Sequence, residues 1–181
     1  MITESLPRYD RVARVLHWLL AVLLMAQVAF GWWLGDIPRN TPARGYYVNL
    51  HKSTGLLLGL LILARIGWRF GHRAPPLPAA MLRWQQWLAQ ASHFALYLCM
   101  LAVPLSGYVA SNFSKYGVKF FNVVVLPPWG SDDRQRYVVF NQAHKIAIVL
   151  LLALLVVHAA AAVWHAARRD GVFSRIWLRP F

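Results

Sequence analysis

Seven histidines are the residues in this sequence best suited to chemistry, and their positions are not random. His17, His51, His93, His144 and His158 fall within or at the ends of long apolar runs. An ionisable side chain is expensive there and is a functional candidate by default. His165 sits at the last turn of the final run, and His72 lies in a polar loop. His144 and His158 are fourteen residues apart. At 3.6 residues per turn that is nearly four turns, so the two rings share one helix face at depths about 21 Å apart. His51 opens its run from the same side as His144, while His17 and His93 lie at the level of His158. Two layers of facing imidazoles are what two stacked six-coordinate haems require inside a helix bundle. Zinc fits less well, because it prefers four ligands, often including Cys or carboxylate, and no acid lies within the runs.

The elements that carry these rings are membrane spans. The chain is 59% hydrophobic and 14% charged, against about a quarter charged in soluble domains. Four segments reach the roughly 20 apolar residues that a bilayer core needs: 15–34, 51–70, 91–110 with an interfacial lead-in from Trp84, and 141–166. The expectation is an all-α integral membrane four-helix bundle forming one domain over residues 1–181. The first run lacks a following small-residue cleavage site and reads as a retained helix. Pro75, Pro76 and Pro78 break the second connection, residues 112–140 form the longest loop, and Pro104 is placed to kink the third span. Cys99 cannot pair internally and reads as a small apolar packing residue.

A net charge of +13 would suggest nucleic acid in a soluble protein. Here the basic residues fall between apolar runs, as they do when they set membrane orientation. Eleven of the nineteen, Arg179 among them, lie on the side that carries both termini, and eight lie on the other. This bias puts both termini in the cytoplasm. Trp18, Trp32, Trp33, Trp68, Trp84, Trp87 and Trp164 lie near span ends and read as interfacial anchors.

Charged neighbours extend the pattern. Lys52 and Lys145 adjoin the outer histidines, and Arg65 lies fourteen residues after His51, on the same face near the inner level. These three are candidate partners for haem propionates, although Arg65 is equally suited to snorkelling. Gly55, Gly59 and Ala159 to Ala162 leave room for a flat cofactor or for close helix packing. On the outer side Lys52, Lys115, Lys119, Arg134, Arg136 and Lys145 outnumber Asp132 and Asp133. Such a surface concentrates small anions. His165, seven residues beyond His158, is a candidate proton relay at the inner water boundary.

Several pieces together resemble the bacterial cytochrome b561 family: RVLHW (14–18), LHKSTG (50–55), SHFALYL (92–98) with PLSGY (104–108), and HK (144–145) followed by VHAAAAVWH (157–165). They fall in all four spans. The resemblance implies two b-type haems, a fourth helix that ligates both irons, and ubiquinone as redox partner. It assigns His51 and His144 to the outer haem and His17 and His158 to the inner one. Depth alone gives the outer pair but leaves His93 competing at the inner level, where the resemblance makes it a pocket residue. Short members resemble superoxide oxidases, which pass an electron from superoxide at the periplasmic face of the inner membrane to ubiquinone. Both haem ligands being imidazole, outer-sphere transfer is the expected route. The alternative is a membrane cytochrome b subunit serving a partner dehydrogenase, hydrogenase or soluble cytochrome. More remote is a transporter or structural membrane protein without cofactor, for which no repeat or broken span argues.

Overall fold

The computed structural model describes residues 6–78 and 81–178; Arg179 lies outside them. Four helices carry the fold: α1 (Arg11–Trp33), α2 (Pro42–Gly71), α3 (Arg83–Asn112) and α4 (Arg134–Arg168). All four are long and apolar enough to cross a membrane. Their starts are written locally. Asp10 caps α1 by accepting from the Ala13 N–H at 2.8 Å. Thr41 caps α2 with Pro42 in its first turn, and Asp133 accepts from the N–H groups of Gln135 and Arg136 to cap α4. Each satisfies donors that a helix N-terminus leaves open. Arg169 ends α4 in a left-handed conformation (φ 53°).

The structure adds two features to the expected bundle. The helices outrun the apolar runs: α2 begins nine residues before His51 and α4 seven before Asn141, because caps and not hydropathy set a helix end. His51 and His144 therefore sit inside their helices. The fold is also not purely helical. The long loop folds an antiparallel hairpin, β1 (Val118–Phe120) with β2 (Val124–Leu126), in which Phe120 pairs with Val124. Phe121 turns the chain at φ 46°, a costly conformation for a bulky residue. Its N–H is held by the fully buried Ser53 hydroxyl at 2.8 Å, which ties the hairpin to α2.

Close backbone approach runs from α1 to α2, α2 to α3 and α3 to α4, and α3 lies along α4 most extensively. By contrast α4 keeps its backbone away from α1 and α2 except at isolated points. Packed helices sit 8–10 Å apart, so this separation is a gap within the bundle. At mid-depth it is closed by a dry layer of Leu20, Leu24, Leu58, Ile62, Leu96, Met100 and Leu151. Leu151 is seven residues from both His144 and His158. The layer thus separates the level of His51 and His144 (outer) from that of His17, His93 and His158 (inner). Gly59 belongs to packing: a Cβ there would meet Pro104 at 3.5 Å.

One end of the bundle is closed by both described ends of the chain together. Arg175, 3% exposed, donates from Nε to the Pro7 carbonyl (3.1 Å) and from one guanidinium nitrogen to the carbonyls of Pro75 and Pro76 (2.8 Å each). Arg14 donates to the Trp177 and Leu178 carbonyls. Two of the tryptophans near span ends bond here as well: Trp18 donates to the Ile176 carbonyl and Trp68 to the Asp10 carboxylate.

Candidate functional site

The inner level brings three histidines together. The His17 and His158 ring centroids are 6.1 Å apart, and those of His93 and His158 are 5.5 Å apart. His17 on α1 thus meets His158 on α4 across the gap. Arg65 reaches this level as its spacing required: it donates to the Ala13 carbonyl at 2.9 Å and approaches His17 Nδ1 at 3.4 Å. His93 opens onto a cavity of about 230 Å³ that it shares with Tyr9, Arg69, Pro75, Leu77 and Gln90. Among the described residues no three His, Cys, Asp or Glu side chains gather as a metal ion's ligand set. The inner trio is a chain of ring contacts, not a converging cluster.

At the outer level each histidine is seated against a different helix. His51 lies against α1, where a Cβ at Gly31 would come within 3.0 Å of its Cε1 and Phe30 packs edge-on at 5.6 Å. His144 lies against α3, where a Cβ at Gly107 would come within 3.1 Å of the ring. The Val103 carbonyl lies 2.7 Å from His144 Nδ1. A carbonyl can only accept, so Nδ1 carries the proton and Nε2 keeps its lone pair. That is the usual orientation of a metal-ligating histidine. The PLSGY motif therefore has a physical reading: Gly107 makes room for the ring, and Pro104 packs on Gly59.

The donor set, two glycine seats and a gap spanned by imidazoles fit a flat, iron-centred macrocycle. What surrounds them was only partly foreseen. Lys52, expected to face a propionate or an anion, donates to the Gly117 carbonyl at 2.8 Å. Arg136, expected to attract anions, is paired with Asp133 at 3.2 Å. Lys115, Lys119, Arg134 and Lys145 are exposed. His165 Nδ1 lies 2.6 Å from the Asp170 carboxylate, a partner the sequence reading overlooked although Asp170 is the one acid between Asp133 and the C-terminus. Gln27 was also overlooked. It is a lone amide in an apolar run, and the structure sets it against His51 at 3.1 Å.

The frame, four apolar helices that carry histidines at two depths, is that of a membrane cytochrome. The family model for prokaryotic cytochrome b561 matches residues 8–178, and the chain belongs to that family. It is 29% identical over 169 residues to "Cytochrome b561 homolog 2" of Escherichia coli K12, covering 90% of this chain and 87% of the relative. "Cytochrome b561 homolog 1" of the same organism is 23% identical, covering 87% of this chain and 89% of the relative. "Cytochrome b562" of Cereibacter sphaeroides is 26% identical, covering 88% and 87%. Membership makes the chain a multi-pass bacterial membrane cytochrome with haem b and a role in electron transfer. This sets aside the cofactor-free transporter.

Proposed function

We propose that this chain is a single-domain, di-haem electron-transfer protein of the bacterial inner membrane that oxidises superoxide at the periplasmic face and reduces ubiquinone. The observation that carries the reading is the pair of imidazole levels across the gap beside α4, divided by a dry apolar layer. His51 and His144 would hold the outer haem, and His17 and His158 the inner one. The His17 and His158 rings face one another across the gap between α1 and α4, 6.1 Å apart, while His93 lies on α3 beside His158 at 5.5 Å and also lines the neighbouring cavity. That supports His93 as a pocket residue. Both described ends of the chain meet at the inner end, and the eleven-to-eight charge bias assigns that end to the cytoplasm.

When bound, haem supplies reversible one-electron chemistry between the two membrane faces. The chain's own residues do the rest. Exposed Lys115, Lys119, Lys145 and Arg134 draw a small anion toward the outer histidines. Two superoxide ions give two dioxygen molecules, and their two electrons with two protons convert one ubiquinone to ubiquinol. The His165–Asp170 pair holds a proton at Nδ1 beside the inner boundary and can pass one inward. The cavity at His93 offers the quinone ring a polar wall next to the inner ligands.

A second reading, a cytochrome b subunit fed by a partner protein, draws on the hairpin tip, where Val123, Val124 and Val125 are exposed. Stopped-flow mixing of the purified, haem-loaded protein with superoxide separates the two. Rapid haem reduction, with ubiquinol formed at one per two superoxide, is the expected result. Haems that stay oxidised, together with co-purification of a dehydrogenase, would replace the first reading by the second.

A further inference from the structure

The hairpin at the outer end carries apolar surface that the histidine levels leave unused. Val123, Val124, Val125 and Leu126 follow one another and are 79%, 53%, 66% and 37% exposed. Successive strand residues point to opposite faces, so both faces of β2 are apolar and open. A strand that docks by one face and leaves the other in water alternates apolar with polar residues, and β2 does not. A medium that reaches both faces suits it better than a docking protein that covers one. Its placement says which medium. The hairpin is bonded along one stripe of α2: Asn122 Nδ2 donates to the Tyr46 carbonyl (3.2 Å), the Lys119 N–H to Asn49 Oδ1 (3.2 Å) and the Phe121 N–H to Ser53 Oγ (2.8 Å). Residues 46, 49 and 53 share a helix face that continues as Leu57, Leu60 and Ala64. Those three are exposed, Leu60 at 62%, and exposed leucines within a membrane span face lipid. The hairpin therefore sits on the lipid side of α2. A bilayer core takes roughly 20 helical residues, and Asn49 lies that far outward from Arg69 in the last turn of α2. The hairpin is thus level with the outer membrane boundary.

We propose that this hairpin is an interfacial lipid anchor, lying in the headgroup layer on the outer side with its valines against the acyl boundary. Exposed Tyr116 and Trp129 (76% and 61%) bracket it in sequence, as aromatic residues do at a membrane surface. Lys119, opposite Val125 in the register, carries its charge on a stem long enough to stay in water. The open edge sets the depth. Among the described residues β2 pairs only with β1, so the N–H and C=O groups of its other edge need water or headgroups, which hydrocarbon does not offer. Lys52 and Ser53, the two residues after His51, both bond the hairpin, Lys52 through the Gly117 carbonyl at 2.8 Å. The anchor thereby fixes the level of the outer histidines against the membrane surface. The inference needs only the membrane-spanning helices and is independent of the electron donor.

The test uses the full-length, haem-loaded protein in vesicles of phosphatidylethanolamine and phosphatidylglycerol, with Cys99→Ala as background. Nitroxide labels are placed singly by Val123→Cys, Val124→Cys and Val125→Cys. Leu60→Cys is the lipid reference, and Asp132→Cys, exposed in the same loop, is the water reference. Power-saturation EPR compares collision with oxygen, which prefers lipid, and with a nickel chelate, which prefers water. Each is taken relative to nitrogen, which cancels relaxation by the haem iron, and the haem absorbance checks that each variant is folded. The oxygen-to-nickel ratio at the three valines should lie severalfold above that at Asp132→Cys and approach that at Leu60→Cys. Ratios equal to that at Asp132→Cys would overturn the proposal and leave the valines for a partner protein. Labels screened from both reagents would overturn it as well, because they mark contact with protein, a second copy if dilution with lipid releases them.

Discussion

Replacing Arg175 by alanine should loosen the inner end of the bundle, and the structure sets the scale. The guanidinium is 3% exposed and supplies three donors to the carbonyls of Pro7, Pro75 and Pro76. Truncation leaves those carbonyls without their donor. A hydrogen bond to a charged group is worth about 1.5–3 kcal/mol, so a simple sum exceeds 4 kcal/mol. Two effects reduce it. Burying the charge already cost desolvation that the variant recovers, and carbonyls at the inner boundary can be rehydrated. The expected loss is on the order of 3 kcal/mol. Arg175→Lys should recover part of it, since an ammonium keeps the charge but not the planar fork. Thermal unfolding in detergent, followed at the haem absorbance, reads the stability. Limited trypsin digestion at Arg73 and Arg83 reads the local opening, because the connection between α2 and α3 is what Arg175 ties down. An alanine variant with wild-type melting and wild-type protection of those sites would refute the argument.

The other predictions follow from the same geometry. His51→Ala and His17→Ala should each remove one haem and spare the other, read as haem per protein by pyridine haemochrome; loss of a haem in His93→Ala but not in His17→Ala would exchange the inner ligands. Lys115→Glu with Lys119→Glu should slow reduction by superoxide roughly tenfold at low salt and flatten its dependence on ionic strength; an unchanged salt profile would count against steering. Slight burial pushes the Asp10 carboxyl up, but bonds from the Ala13 N–H and Trp68 Nε1 outweigh it and hold the group below its usual 3.8. Its stabilisation is therefore complete above that value and is lost as pH falls through the lower native one. Asp10→Ala should cost about 1 kcal/mol near neutrality as a lost helix cap, with the difference from wild type vanishing in acid.

How much of this was legible follows from which interactions have a side-chain signature. Helical period makes depth and face readable, so the shared face and separate depths of His144 and His158, and the inner reach of Arg65, needed only counting. Which helices touch was not readable. Nothing in the apolar runs states that α4 lies along α3 and stands off from α1 and α2, and that spacing is what makes room for a cofactor. The inner clasp was equally silent, because Arg175 and Trp18 bind main-chain carbonyls, which every residue possesses. Hydropathy also misjudged helix ends, since Asp133 can start α4 well before lipid begins. Gln27 is the instructive miss. The rule that made the histidines candidates, that a polar group within a span must justify its cost, applies to an amide between Ala26 and Val28 as well. Applied only to titratable residues, the rule finds the histidines and passes over the amide beside one of them. A span should therefore be searched for isolated amides one helix face away from each candidate ligand. In this chain that search returns Gln27 beside His51, while the ring of His144 meets a main-chain carbonyl of α3.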